Sequence, residues 1–239
     1  MKEFFMKQYN PFRNLTRFEW ILWSSSILVV VLCFLLGDAM GWLAFVASLI
    51  GVTALIFTAR GEVVGQILIV IFAILYGVIS WQQRYYGEML TYLGMSAPIA
   101  IAAVISWIRH PFQRSSHVEV EVNRLHRKEI AFLCALTVAV SVGFYFILNA
   151  LGNAQIVFST LSVTTSFFAA YLTFRRSPFY ALAYAANDVV LIVLWVIASV
   201  RDISCLSMVI CFAMFLINDM YGFFNWLRMQ KMQEKQTRA

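Results

Sequence analysis

The sequence predicts an all-α polytopic membrane bundle of eight spans, with two parallel three-helix repeats joined by a linker helix and preceded by an additional N-terminal span. Three observations lead there. Hydrophobic residues make up 62% of the chain and charged residues 13%, against about 25% charged in soluble domains. The apolar residues gather into runs close to the ~20 residues that a helix needs to cross ~30 Å of hydrocarbon. Basic residues concentrate in every second gap between those runs, as the positive-inside rule requires.

Taken in order, the predicted spans are Trp20 to Leu36, Gly41 to Phe57, Val63 to Gln82, Met89 to Trp107, Ile130 to Ala150, Ala154 to Phe174, Pro178 to Ser199 and Ile203 to Trp226. The runs are continuous, whereas a membrane β-barrel would alternate over ~10-residue segments. Lys2, Lys7, Arg13, Arg17, Arg60, Arg109, Arg114, Arg124, Arg127, Lys128, Arg175, Arg176, Arg228, Lys231, Lys235 and Arg238 fall on one side, and only Arg84 and Arg201 on the other. This makes both termini cytoplasmic, in a bacterial-type inner membrane. The basic leader and the small residues from Gly37 to Gly41 resemble a signal peptide, but the apolar run is long for one and the charge alternation works with it retained. The formal charge of +6 is read as topology and attraction to anionic membrane lipid, with no nucleic-acid partner.

The long basic connection divides the chain. Residues 1–40 hold the leader and additional span, 41–108 the first repeat, 109–150 the basic loop and linker helix, 151–227 the second repeat and 228–239 a cytoplasmic tail. Three landmarks recur in both repeats: Arg60-Gly61 and Arg176-Ser177, Trp81 and Trp195, and the sequences Trp107-Ile108-Arg109 and Trp226-Leu227-Arg228. Parallel repeats with a solute site between them are a transporter architecture.

Cys33, Cys134, Cys205 and Cys211 are read as small buried hydrophobes, and His110, His117 and His126 lack helical metal-ligand spacing, so neither a metal nor a cofactor is expected. Carboxylates inside spans are different, because each costs about 2.5–3.5 kcal/mol at mid-membrane and must meet a partner or water. On the seventh span Tyr184, Asp188 and Trp195 share one face. On the eighth, Asn218, Tyr221 and Asn225 form one stripe, with Asp219 and Trp226 on the next. Gln66, Ala73 and Ser80 follow at seven-residue intervals on the third, with Tyr76 and Trp81 nearby. The hydroxyl run from Ser159 to Ser166 reads as helix packing, and Trp20, Trp23, Trp42, Trp107 and Trp226 as interfacial belt residues. A buried polar network, including an Asp188–Asn218 hydrogen bond, would account for the acids structurally. The mixture of carboxylates, amides and aromatic rings suits a solute with a cationic or aromatic ring and several hydroxyls.

The sequence Asn187-Asp188 with six residues before Trp195, followed by Asn218-Asp219-Met220-Tyr221-Gly222 and Trp226, resembles the PnuC nicotinamide riboside transporters. Their three-one-three fold is similar to that of the SWEET sugar carriers. The resemblance implies facilitated diffusion of nicotinamide riboside, a vitamin B3 form and NAD precursor, by alternating access in a homo-oligomeric, trimeric assembly. It further implies stacking by Trp195 or a tyrosine, charge compensation by Asp188 or Asp219, and polar contacts from Asn187, Asn218, Asn225 and Gln66. A proton-coupled porter for another small polar or cationic solute is the alternative. No span contains histidine and no G-x-S-x-G elbow is present, so an enzyme is not expected.

Overall fold

The computed structural model of the chain describes residues 11–36, 42–82, 89–113, 118–153, 155–200 and 206–238. Lys2, Lys7, residues 37–41, Arg84, Arg114, His117, Ala154, Arg201 and Cys205, named above, lie outside them. The helices are α1 (Arg17–Leu36), α2 (Trp42–Ala59), α3 (Val63–Gln82), α4 (Ala97–Arg109), α5 (Arg127–Ala150), α6 (Ile156–Phe174), α7 (Phe179–Ser199) and α8 (Leu206–Arg238). A π-helical stretch, Thr91–Ser96, precedes α4 and completes its span from Thr91 to Arg109. All eight spans are long and apolar enough to cross a membrane.

Helix packing follows the order α2, α3, α4, α6, α7, α8 and back to α2, so six helices close a ring. The remaining two stand outside it. α1 packs against α2 and α8, and α5 packs chiefly against α6. Phe132, Val138, Val142 and Phe146 leave α5 with an exposed apolar face.

The ring is tied at one end by two reciprocal pairs of hydrogen bonds. Trp107 Nε1 donates to Thr173 O and Ser106 Oγ to Phe174 O, each at 2.9 Å. Trp226 Nε1 donates to Thr58 O and Asn225 Nδ2 to Ala59 O, again at 2.9 Å. The acceptors are the last carbonyls of α6 and α2, which have no intrahelical partner, so the final helix of each half caps the first helix of the other. Trp107 and Trp226 are fully buried and 5.4 Å apart between ring centroids. This corrects their assignment to an interfacial belt: each indole finds its acceptor inside the protein.

Beyond these carbonyls the two turns have matching bonds. Gly61 N donates to Thr58 O and Glu62 N to Phe57 O; Arg176 N donates to Thr173 O and Ser177 N to Leu172 O. Gly61 therefore corresponds to Arg176, both with positive φ (69° and 57°). The sequence landmark had paired Arg60 with Arg176, one residue out of register.

Two further features depart from expectation. The basic loop contains an antiparallel hairpin, β1 (Pro111–Gln113) and β2 (Val118–Val120), and runs across both turns through Val120 N to Gly61 O (2.9 Å) and Asn123 N to Arg176 O (3.0 Å). The expected tail is a continuation of α8 to Arg238. Gln233 on that extension accepts from Val122 N (2.8 Å) and donates to Glu119 Oε1 and Val120 O (3.0 Å each).

Replacing Trp226 by phenylalanine keeps most of the volume and removes the indole donor from Thr58 O, which keeps its backbone bond from Gly61 N. It should destabilise the protein by about 0.5–1.5 kcal/mol, and Trp226→Ala by about 3–5 kcal/mol. Thermal unfolding in detergent, followed by the fraction that stays monodisperse, checks the order wild type, Phe, Ala.

Candidate substrate site

Asp188 on α7 and Asp219 on α8 meet inside the ring, 4% and 5% exposed, with their carboxyls within hydrogen-bonding reach of each other. Gly222 stands one turn from Asp219 against α2 and α7, where a β-carbon would sit in ordinary contact, 3.4 Å from Ala59 Cβ and Tyr180 Oη. Asp188 Oδ2 is buried without a hydrogen-bond partner, and neither acid forms a salt bridge among the described residues. Tyr184, one turn before Asp188, and Tyr180 lie within electrostatic reach of Asp219, and Tyr180 packs edge-on to Trp226 at 4.9 Å. Two carboxyls bordered by aromatic rings are a place to hold a cation.

Asn187 is buried beside this pair. Its Oδ1 accepts from Ser162 (3.2 Å), Thr165 (2.8 Å) and Ser166 (3.1 Å) of α6. The hydroxyl run read as general helix packing thus has a defined partner, and it fixes how the Asn187-Asp188 turn is presented.

The Asn218 stripe faces elsewhere. Asn218 Nδ2 donates to Ser26 Oγ of α1 (3.0 Å) and to Met214 O (2.8 Å), so the expected Asp188–Asn218 bond is replaced by a tie to the additional span. Tyr221 Oη donates to Glu19 Oε1 of the same span (2.8 Å). Asn225 is the cap on Ala59 O described above. In this structure these three side chains hold helices together. Gln66 is buried near them, its Nε2 3.4 Å from Thr58 Oγ1.

Glu19 is a site-supporting residue that the sequence reading missed. Thr16 and Glu19 form a reciprocal capping box: Thr16 N donates to Glu19 Oε2 (2.6 Å), and Glu19 N to Thr16 Oγ1 (3.3 Å). The spacing Thr-x-x-Glu ahead of an apolar run was a legible signal. Glu19 Oε2 also accepts from Arg60 Nη1 (2.7 Å), whose guanidinium further donates to Glu62 Oε1 and Asn14 O (2.8 Å each). Burial works against the Arg60 charge, but Glu62 and Glu19 outweigh it and hold the group above its ordinary pKa.

A cavity of about 110 Å³ lies toward the other end of the ring, lined among others by Ser48, Tyr76, Ser80, Trp195, Cys211 and Phe215. Trp195 is two turns from Asp188 on the same face of α7, and Phe215 one turn from Asp219 on α8, so the cavity continues the stripe that carries the acids. Neither aspartate lines it. Trp81, expected beside Tyr76, is 62% exposed at the end of α3, and the structure does not bring it to this wall.

Residues 41–228 match the family described as nicotinamide mononucleotide transporter. The chain belongs to that family. It is a membrane transporter and not an enzyme. A nicotinamide riboside transporter PnuC from Neisseria mucosa is 25% identical over 225 residues, covering 92% of this chain and 84% of that protein. A nicotinamide riboside transporter PnuC from Haemophilus influenzae is 20% identical over 231 residues, covering 97% and 96%. The crystal structure of the vitamin B3 transporter PnuC superposes with a TM-score of 0.80 at 23% identity, covering 92% of this chain and 94% of that one.

Arg60→Met should cost this family member about 3–5 kcal/mol, because it removes the cation held between the buried carboxylates of Glu19 and Glu62. Ser26→Ala, which removes one partner of Asn218, should cost about 0.5–1.5 kcal/mol. Thermal unfolding of the two purified variants distinguishes these magnitudes.

Proposed function

We propose that this chain carries nicotinamide riboside into the cell by facilitated diffusion, with Asp188 and Asp219 compensating the positive pyridinium ring. The observation that carries this reading is the contact between two buried carboxyls that have no basic partner among the described residues. The names of the relatives point to the same solute. The family description instead names the mononucleotide. A phosphate group brought toward a carboxyl pair in low dielectric would be repelled, which favours the uncharged ribose over its phosphate ester.

In this reading Tyr184, Tyr76 and Trp195 contribute aromatic faces, and Asn187, Gln66, Asn218, Tyr221 and Asn225 stand around the path as polar groups. The 110 Å³ cavity is smaller than the ~300 Å³ of a typical small-molecule site, so it widens when a nucleoside enters. The first block (41–108) and the second (151–227) move against each other, with 109–150 as the connection. Both termini and the basic loops are cytoplasmic because of their lysines and arginines. The assembly is a trimer, for which the exposed apolar face of α5 supplies a surface; mass measurement of the detergent-solubilised protein tests it, and a monomer refutes it.

The carboxyl contact also favours a second reading, in which a proton accompanies the solute. Uptake of labelled nicotinamide riboside into proteoliposomes that contain no kinase tests both. Asp188→Asn and Asp219→Asn should each lower uptake at least tenfold, and nicotinamide mononucleotide should compete at least tenfold more weakly than the riboside. Uptake unchanged in both variants overturns the assignment of the acids. Loss of uptake on dissipating a proton gradient selects the porter.

A further inference from the structure

Arg176 occupies a costly position. It lies in the turn between α6 and α7 and is 8% exposed, and its Nε and Nη1 are buried without a hydrogen-bond partner. Its φ of 57° falls in the left-handed region, and it is the one non-glycine residue there among the described residues. Gly61 in the matching turn avoids that strain, and a β-carbon there would displace the end of the flexible Met229 side chain, 2.6 Å away at Cε. One turn meets its positive φ with glycine; the other retains a whole arginine.

Of the described acids on this face, Glu121 is exposed in the loop and the other five are engaged elsewhere. Glu129 pairs with Arg175, Glu19 and Glu62 with Arg60, Glu234 with Arg124, and Glu119 accepts from Gln233. The Arg176 backbone is held as well: its N–H donates to Thr173 O and its carbonyl accepts from Asn123 N. Three residues on, α7 begins, and the amide dipoles of its first turn add positive potential. Burial lowers the Arg176 pKa, with no anion among the described residues to offset it. A guanidinium so placed matches a tetrahedral oxyanion in charge and donor geometry.

We propose that Arg176 anchors a phosphate-binding site at the α6–α7 turn, outside the path of the transported solute. The phosphate belongs either to an anionic lipid headgroup or to a soluble phosphate, since the turn stands at the end of two membrane spans.

The test uses the full-length protein, delipidated in detergent, as wild type, Arg176→Gln, Arg176→Gly and the exposed control Arg228→Gln. Thermal unfolding is followed during titration with phosphatidylglycerol, with phosphatidylcholine and with inorganic phosphate. Arg176→Gly removes both the strain and the buried charge, so without added anion it should unfold at or above the wild-type temperature. Phosphatidylglycerol or inorganic phosphate should raise the unfolding temperature of the wild type and the Arg228→Gln control, with half-saturation at least tenfold weaker in both Arg176 variants. A response to phosphatidylglycerol alone identifies the headgroup as the source, and one to inorganic phosphate alone identifies the soluble anion. Equal responses of wild type and Arg176→Gly, or no response of the wild type to either probe, overturn the proposal. Binding of nicotinamide riboside, read by tryptophan fluorescence, should be unchanged in Arg176→Gly, so the outcome is separate from the assignment of the solute.

Discussion

A helix ends with carbonyls that its own backbone cannot satisfy, and in a membrane protein there is little water to take their place. Here the ends of α2 and α6 are completed by side chains from the opposite half of the ring: Trp226 and Asn225 on one, Trp107 and Ser106 on the other. The arrangement depends on both halves together, since the side-chain caps on each first helix come from the other half. The same exchange brings α8 against α2 and α7, and with it Asp219 to Asp188. The tie at the end of the ring and the acids in its middle are consequences of one packing decision.

The eight spans were legible because hydropathy and charge alternation report the solvent around a helix, and a lipid solvent leaves few other solutions. Asp188 and Asp219 were legible for the same reason: a carboxyl in an apolar run is visible in one dimension. Partners were harder to read. Trp107 and Trp226 have the sequence position of belt residues, and only the carbonyls of Thr173 and Thr58 show why they turn inward. Asn218 shares a helix with Asp219 yet faces α1, a choice set by which stripe meets which neighbour. Ser162, Thr165 and Ser166 were visible as a run, but their common acceptor Asn187 lies more than twenty residues away.

Other signals were present and overlooked. Residues Arg228 to Arg238 contain neither glycine nor proline and are rich in helix-forming Gln, Lys, Arg and Glu, so the continuation of α8 past the membrane agrees with local propensity. The strands β1 and β2 had no such signature, being three residues each within a polar loop. The additional span looked like an appendage to a seven-helix core. Its ties through Ser26, Glu19 and Arg60 make it a wall of the second half's last helix, and it leans on α2 much as α5 leans on α6.

The unbroken length of α8 has a mechanical consequence. Fourteen residues separate Asp219 from Gln233, about 21 Å of continuous helix with no glycine or proline joint after Gly222. Such a rod bends little, so a tilt at the depth of the acids reappears, amplified by leverage, where Gln233 grips the hairpin strand and the segment after it. Spectroscopic labels on the soluble end of this rod would therefore report events deep in the bilayer.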